Sequence, residues 1–223
     1  MRTAHIVALV LLAIGAALPG ALFAVDGQVL YTEGTVTIST GSGSRDASPG
    51  DKLSAGDVIT TGPVSLAVID LSNATQAKLR ENTSLAIEAI GNDTKVSLTR
   101  GGLFTHVLKK LSGTLSVRAD TTVAGVRGTE FYLAYGLTNS AHPDLWLCVN
   151  EGSVNVSLEN TGQTVVVKEG LGVSILGGGR ISTPRHYTWT RALNWNMDPS
   201  GGKVQDTTSL DQVYNDPAYR DSN

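Results

Sequence analysis

Arg127 and Glu130, in the run AGVRGTEFYLAY (residues 124–135), are the polar pair whose types and spacing could do chemistry. A guanidinium presents five donors in a fixed fork, so an arginine at a chain corner can clamp backbone carbonyls and a carboxylate together. The same geometry could instead open a pocket in which Arg127 receives an anionic ligand. Both readings stay open from the sequence. Elsewhere the chemistry is sparse. His106, His142 and His186 stand at no metal-ligand spacing from a cysteine or from one another. Asp70, Asp93, Asp120 and Asp144 adjoin turn residues rather than forming carboxylate pairs. No G-x-S-x-G elbow, H-E-x-x-H, phosphate loop or S-x-x-K occurs, and LGGGR (176–180) lacks the helix that a phosphate-binding loop opens, so a hairpin turn is expected there. The expectation is a chain that is not an enzyme and has no catalytic residue, metal or cofactor.

What positions Arg127 and Glu130 is a strand with an irregular rhythm. Residues sharing one face of a strand recur every second position. Phe131, Leu133 and Tyr135 keep step with Thr129, whereas Val126 keeps step with Ala124 and Thr122. One residue is surplus, and a bulge or corner at Arg127-Gly128 would absorb it, because glycine tolerates the backbone angles required.

From Gly27 to about Ile181 the chain is a succession of short apolar segments separated by Gly, Asn, Asp or Ser, with no long amphipathic helix among them. That pattern predicts an all-β domain. A Glu-Gly pair opens an alternating segment at Glu33-Gly34, Glu151-Gly152 and Glu169-Gly170, and Arg100-Gly101-Gly102 stands similarly before LFTHV. Tight turns between short strands suit either a sandwich or a solenoid of stacked coils. The expected form is elongated and solenoid-like, with turns at the three Glu-Gly pairs, at Gly101-Gly102 and at Gly128. LWLCVN and the VVV of residues 165–167 carry apolar side chains on both parities, which predicts strands covered on two faces.

The two ends differ from this middle. Arg2 and His5 precede an apolar run from Ile6 to Leu18, followed by Pro19-Gly20 and a small residue at Ala24, which reads as a signal peptide over residues 1–24 with an uncleaved anchor as the alternative. Cleavage would take the net charge from −3 to −4 by removing one arginine and no acid, which disfavours nucleic acid as a partner. No other segment is long and apolar enough to span a membrane. The single cysteine, Cys148, excludes an internal disulfide framework and sits in an apolar setting. Residues 183–223 form a polar tail that nevertheless holds five of the chain's twelve aromatic residues. Ser209 and Gln212 have capping-box spacing there, which predicts a short helical turn. The tail either folds back, docks on a partner or stays loose; Trp189 and Trp195 are its expected contact residues, placed on an open edge or end of the β domain or on a partner.

AGVRGTEFYLAY, followed by LCVNEGSVNVSL and VVVKEGLGVSI, resembles the FecR-type domain, in which a V-R-G-T-E-F strand precedes an E-G-x-V turn. LSAGDVITTG is similar to that family's G-D-x-I-x-T segment through Gly56, Asp57, Thr60 and Thr61. The resemblance covers about residues 27–177 and places the domain at 25–182. It implies a bacterial, extracytoplasmic β domain in which Arg127, Gly128, Thr129, Glu130, Phe131, Glu151 and Gly152 are the structural motif. Founding members are inner-membrane regulators with a cytoplasmic sigma-factor-binding segment and a further α/β module, and neither is expected here. The expected function is that of an exported, periplasmic or secreted module binding or scaffolding an envelope protein or surface polymer. The alternative is a reduced signal-transduction protein that keeps residues 6–18 as its anchor.

Overall fold

The computed structural model describes residues 27–72, 75–107, 113–126, 128–136 and 144–208. The expected signal peptide, Arg127, His142 and the turn predicted at Ser209 lie outside the described residues.

Seventeen strands follow one another in the described residues. They are β1 (Gly27–Glu33), β2 (Val36–Thr40), β3 (Gly43–Asp46), β4 (Lys52–Leu53), β5 (Val58–Thr61), β6 (Leu66–Ser72), β7 (Thr75–Leu79) and β8 (Ser84–Ala89), then the long β9 (Asp93–Val107). The second half supplies β10 (Thr114–Ala119), β11 (Thr122–Val126), β12 (Glu130–Tyr135), β13 (Leu145–Glu151), β14 (Ser153–Leu158), β15 (Thr164–Lys168), β16 (Gly172–Leu176) and β17 (Arg180–Ile181).

Their pairings make two layers. The first runs β4-β1-β6-β7-β9-β12-β13-β16-β17, every neighbour antiparallel. The second runs β3-β2-β5-β8-β9-β10-β11-β14-β15, with β9 and β10 its parallel pair. Strand β9 belongs to both, its first half in the second layer and its second half in the first. The all-β expectation therefore holds, as an open and mostly antiparallel array. The pairing does not show stacked solenoid coils, which would need parallel contacts between successive turns.

Alternation explains the layering. In β14 (SVNVSL) the valines and leucine are buried and the polar residues face outward, and β10 behaves the same way. One core fills the space between the layers, with Val29, Ile69, Leu103, Phe131 and Leu147 from the first meeting Ile38, Leu85, Val117 and Val156 from the second. Each such side chain, fully buried, contributes roughly 1.5–3 kcal/mol.

The surplus residue in AGVRGTEFYLAY now has a cause. Val126 reaches the shared core from β11 in the second layer, whereas Phe131 and Leu133 reach it from β12 in the first. The corner at Gly128 (φ 62°) carries the chain between layers. The chain passes to the opposite wall of the core there, and the inward parity changes with it. Turns also stand at Gly34 and Gly152 as expected, but on those two approaches the parity changes earlier, at the register slips after Val29 and at Asn150. At Gly101-Gly102, where a turn was expected, the strand does not end. It bends and continues, and the parity passes from Val96 and Leu98 to Leu103. A Cβ on Gly101 (φ 105°) would lie 2.2 Å from Thr83 Oγ1 and 2.4 Å from Thr83 Cα, so only glycine fits the bend.

Candidate interaction site

The V-R-G-T-E-F corner is built of interlocking backbone. Thr129 is buried; its hydroxyl donates to the Ser153 carbonyl at 2.9 Å, and its own carbonyl accepts from the Val107 amide at 2.9 Å. A Cβ at Gly152 would stand 2.8 Å from the Gly128 carbonyl oxygen, so the two corners pack directly on each other. Phe131 fills the core between the layers, and Glu151 is exposed beside the turn. Glu130 accepts from the Asn150 side-chain amide, and its carboxylate lies 3.9 Å from His106 Nδ1. The pairing of β12 with β13 slips by one residue at this point, passing over Asn150. Any contact between Arg127 and Glu130 lies outside the described residues.

The larger assembly is on the outer face of the first layer. Sheets whose strands read LAVIDL, EFYLAY and LWLCV are apolar on both sides and need a second cover. The tail supplies it. Leu66, Val68, Phe104, Tyr132, Trp146 and Cys148 form a second cluster with Tyr187, Trp189, Leu193, Met197 and Val204. Trp189, 3% exposed, meets Tyr132 edge-on at 6.2 Å, Trp195 meets Phe104 at 5.3 Å, and Tyr187 meets Trp146 at 5.9 Å. Short 3-10 turns at Thr188–Ala192 and Pro199–Gly201 bend the segment to this surface. The tail thus folds back: Arg185 bridges the edge of β16 at Gly172, while Trp189 and Trp195 lie across a sheet face and not on the edge or end expected of them. The face attracts it because that is where uncovered aromatic area lies.

Truncation after Pro184 is therefore expected to expose Phe104, Tyr132 and Trp146 together. Light scattering should show self-association and a fall in soluble yield. A truncated chain that stays monomeric and melts with the full one would mean that the cover is dispensable.

Two cations that sequence reading left unremarked fasten this cover. Lys78 and Arg80 are two apart near the end of β7, so both point to the outer face. Lys78 is 1% exposed, with its ammonium 4.2 Å from the centre of the Phe104 ring. It donates to the carbonyls of Asn194, Asn196 and Val204 at 2.5, 2.9 and 3.0 Å. Three donors meet three acceptors, which uses the whole capacity of the group. Burial pushes its pKa down to about 8, with Asp206 acting in the opposite direction. Arg80 donates to the Tyr132 hydroxyl at 3.3 Å and to the Thr208 carbonyl at 2.9 Å. The receiving loop is knitted to itself, since the Asn194 side-chain amide donates to the carbonyls of Lys203 and Gln205, and Asp206 accepts from the Asn194 amide. A lysine and an arginine two apart in AKLR, alternating with buried Ala77 and Leu79, are the signal that could have exposed this site.

Beside the clamp lies a cavity of about 460 Å³ whose walls include Ser65, Lys78, Arg80, Glu81, Asp206 and Thr208. Its acids are partly engaged: Glu81 accepts from the Val64 amide at 2.8 Å, and Asp206 from the Thr208 amide at 2.7 Å. A wall that carries both signs can hold a polar ligand or a peptide segment. The sequence-picked residues do not converge on it. His106 lies beside Glu130, and His186 contacts the Gly170 carbonyl through Nδ1 at 2.7 Å. LGGGR forms the hairpin expected between β16 and β17. Cys148 is buried against the outer face, where burial raises its thiol pKa. Among the described residues no group of three His, Cys, Asp or Glu could hold a metal ion, and no helix is long and apolar enough to cross a membrane.

Known proteins share this architecture. Two crystal structures, each of a candidate anti-sigma factor from Parabacteroides distasonis ATCC 8503, superpose on the chain. The first has a TM-score of 0.51 at 16% identity, covering 60% of this chain and 63% of that one. The second has a TM-score of 0.52 at 14% identity, covering 71% and 88%. The chain thus spans just under two thirds of the first of them, and at these identities the likeness concerns the fold. No curated protein matches it. The profile of the family described as FecR protein matches residues 57–170, from the Asp57 that follows Gly56 through the Gly128 and Gly152 corners to the last Glu-Gly turn. With more than half its length inside that match, the chain belongs to the FecR protein family.

Proposed function

We propose that this chain acts outside the cytoplasm as a non-catalytic FecR module that binds another component of the cell envelope, either a protein or a surface polymer. The observation that carries the reading is the cavity at the seam between β7 and the tail. There two buried cations and two carboxylates border a space that neither the β array nor residues 187–208 fill. Export is supported by the signal-peptide pattern of residues 1–24. The fold needs no chemistry of its own to serve as a scaffold.

A photo-crosslinking side chain at position 81, on the cavity rim, tests this in cells. Glu81 should capture an envelope component, whereas Lys95, exposed on the second layer, should not. Equal capture at both positions would remove the cavity from the reading. A second reading is favoured by the candidate anti-sigma factors that share the fold. In it the chain keeps residues 6–18 as an anchor and reports binding across the membrane. The mass of the mature N-terminus separates the two: loss of residues 1–24 supports release, and an intact start supports the anchor.

A further inference from the structure

Among the described residues the array has four edges, and three are blunted. Strand β3 (GSRD) is exposed and polar throughout, with Arg45 donating to Asp51 at 2.5 Å. Strands β4 and β17 are two residues long. The Gln163 side-chain amide also covers β17, accepting from the Ile181 amide at 2.9 Å and donating to its carbonyl at 3.1 Å, as a neighbouring strand would. These are the usual protections of a sheet edge.

Strand β15 (TVVVK) is different. Among the described residues it pairs with β14 alone. Leu158 donates to the carbonyl of Gln163 and Glu169 to that of Gly152, each at 2.9 Å, which fixes the phase of the ladder. Bonded pairs alternate along an antiparallel ladder, so Val165 and Val167 face β14. The backbone N–H and C=O of Thr164 and Val166 therefore point away from it. The expectation that VVV is covered on both faces fails here, because Val166 is 55% exposed. No proline, glycine or acid interrupts the strand.

Both ends of the strand carry positive charge. Lys168 is exposed at one end of β15, and the bonds from Gln163 to Ile181 bring exposed Arg180 near the other. The flanking acids are committed: Glu159 binds Arg118 at 2.6 Å, and Glu169 accepts from the Gly152 amide.

We infer that β15 is a strand-addition site, at which an extended acidic peptide segment of a partner protein pairs with Thr164 and Val166 while its carboxylates meet Lys168 and Arg180. Main-chain bonds would supply affinity, and an apolar side chain beside Val166 with acids at the flanks would supply selectivity. The site is separate from the cavity at β7 and does not depend on it.

Phage-displayed random heptapeptides selected on the immobilised chain provide the test, with depletion on Val166→Pro. Proline removes an amide hydrogen that the fold does not use, so the variant should melt with the wild type. Enriched peptides should alternate β-branched with polar residues, carry flanking Asp or Glu, and bind Val166→Pro at least tenfold more weakly. Hydrogen exchange at Thr164 and Val166 should slow when a synthetic copy of the enriched peptide is bound. If Val166→Pro melts lower, Val166→Asp, which keeps the backbone donor and repels acids, carries the comparison with the same expected loss. No enrichment, binding indifferent to both variants, or protection elsewhere would overturn the inference. So would light scattering that shows a wild-type dimer abolished by Val166→Pro, since the edge would then belong to a second copy.

Discussion

Gly101→Val is expected to abolish the folded array. A β-branched side chain there meets the Thr83 backbone at well under contact distance, and φ 105° is unfavourable for any L side chain. The position lies where β9 passes from one layer to the other, so relief would require moving both. A loss of more than about 4 kcal/mol follows, in the range reserved for strained and overpacked cores. In practice the variant should be insoluble or show no cooperative melt. Gly178→Ala is the control: its φ is 67°, but nothing lies within 4 Å of the added Cβ, so only a cost of about 1–2 kcal/mol is expected. A Gly101→Val protein that melts within a few degrees of wild type would show that β9 tolerates rearrangement at its bend.

Lys78→Met should release the tail. The thioether can replace the stem over Phe104, but the carbonyls of Asn194, Asn196 and Val204 lose their donor together. Leaving buried acceptors unpaired costs about 1–3 kcal/mol each, part of which water recovers once the loop lifts. A net loss of roughly 3 kcal/mol is expected at pH 7 from those figures. It should appear as rapid proteolysis within residues 187–208 and a red shift of tryptophan emission. The pH dependence has a defined sign. Folding lowers the Lys78 pKa from 10.5 to about 8, so between those values the unfolded chain binds more protons. Wild-type stability relative to Lys78→Met should therefore rise with pH across this window; that increment is lost as pH falls through 8, where the hydrogen-bond contribution alone remains. A tail that stays protected in Lys78→Met would show that aromatic packing alone holds it.

The phase change between Val126 and Phe131 was legible because strand rhythm is a local property, and it located the Gly128 corner correctly. What it could not distinguish was a bulge within one strand from a passage between layers, because that depends on which strands lie alongside. Gly101-Gly102 carried the same signature as a turn for the same reason. Lys78 and Arg80 were visible as residues of a strand, but their acceptors are 116 to 128 residues away, in a tail with no periodicity to announce its path. Val166 misled for a topological reason. Three consecutive valines imply cover on two faces only for an interior strand, and β15 is the last of its layer.

The shared strand β9 also bears on the order in which the fold can assemble. Among the described residues, β1 to β8 pair only with one another and with β9, and β10 to β17 do likewise. No ladder joins the two halves except through β9. A chain emerging from its N-terminus can thus zip β1 to β8 without waiting for later residues, which keeps early loop closures short. Once residues 93–107 arrive, they present fresh ladder positions in both layers at once. The remaining strands then have a template to grow against, and the half-finished chain exposes its longest unpaired edge only at that stage.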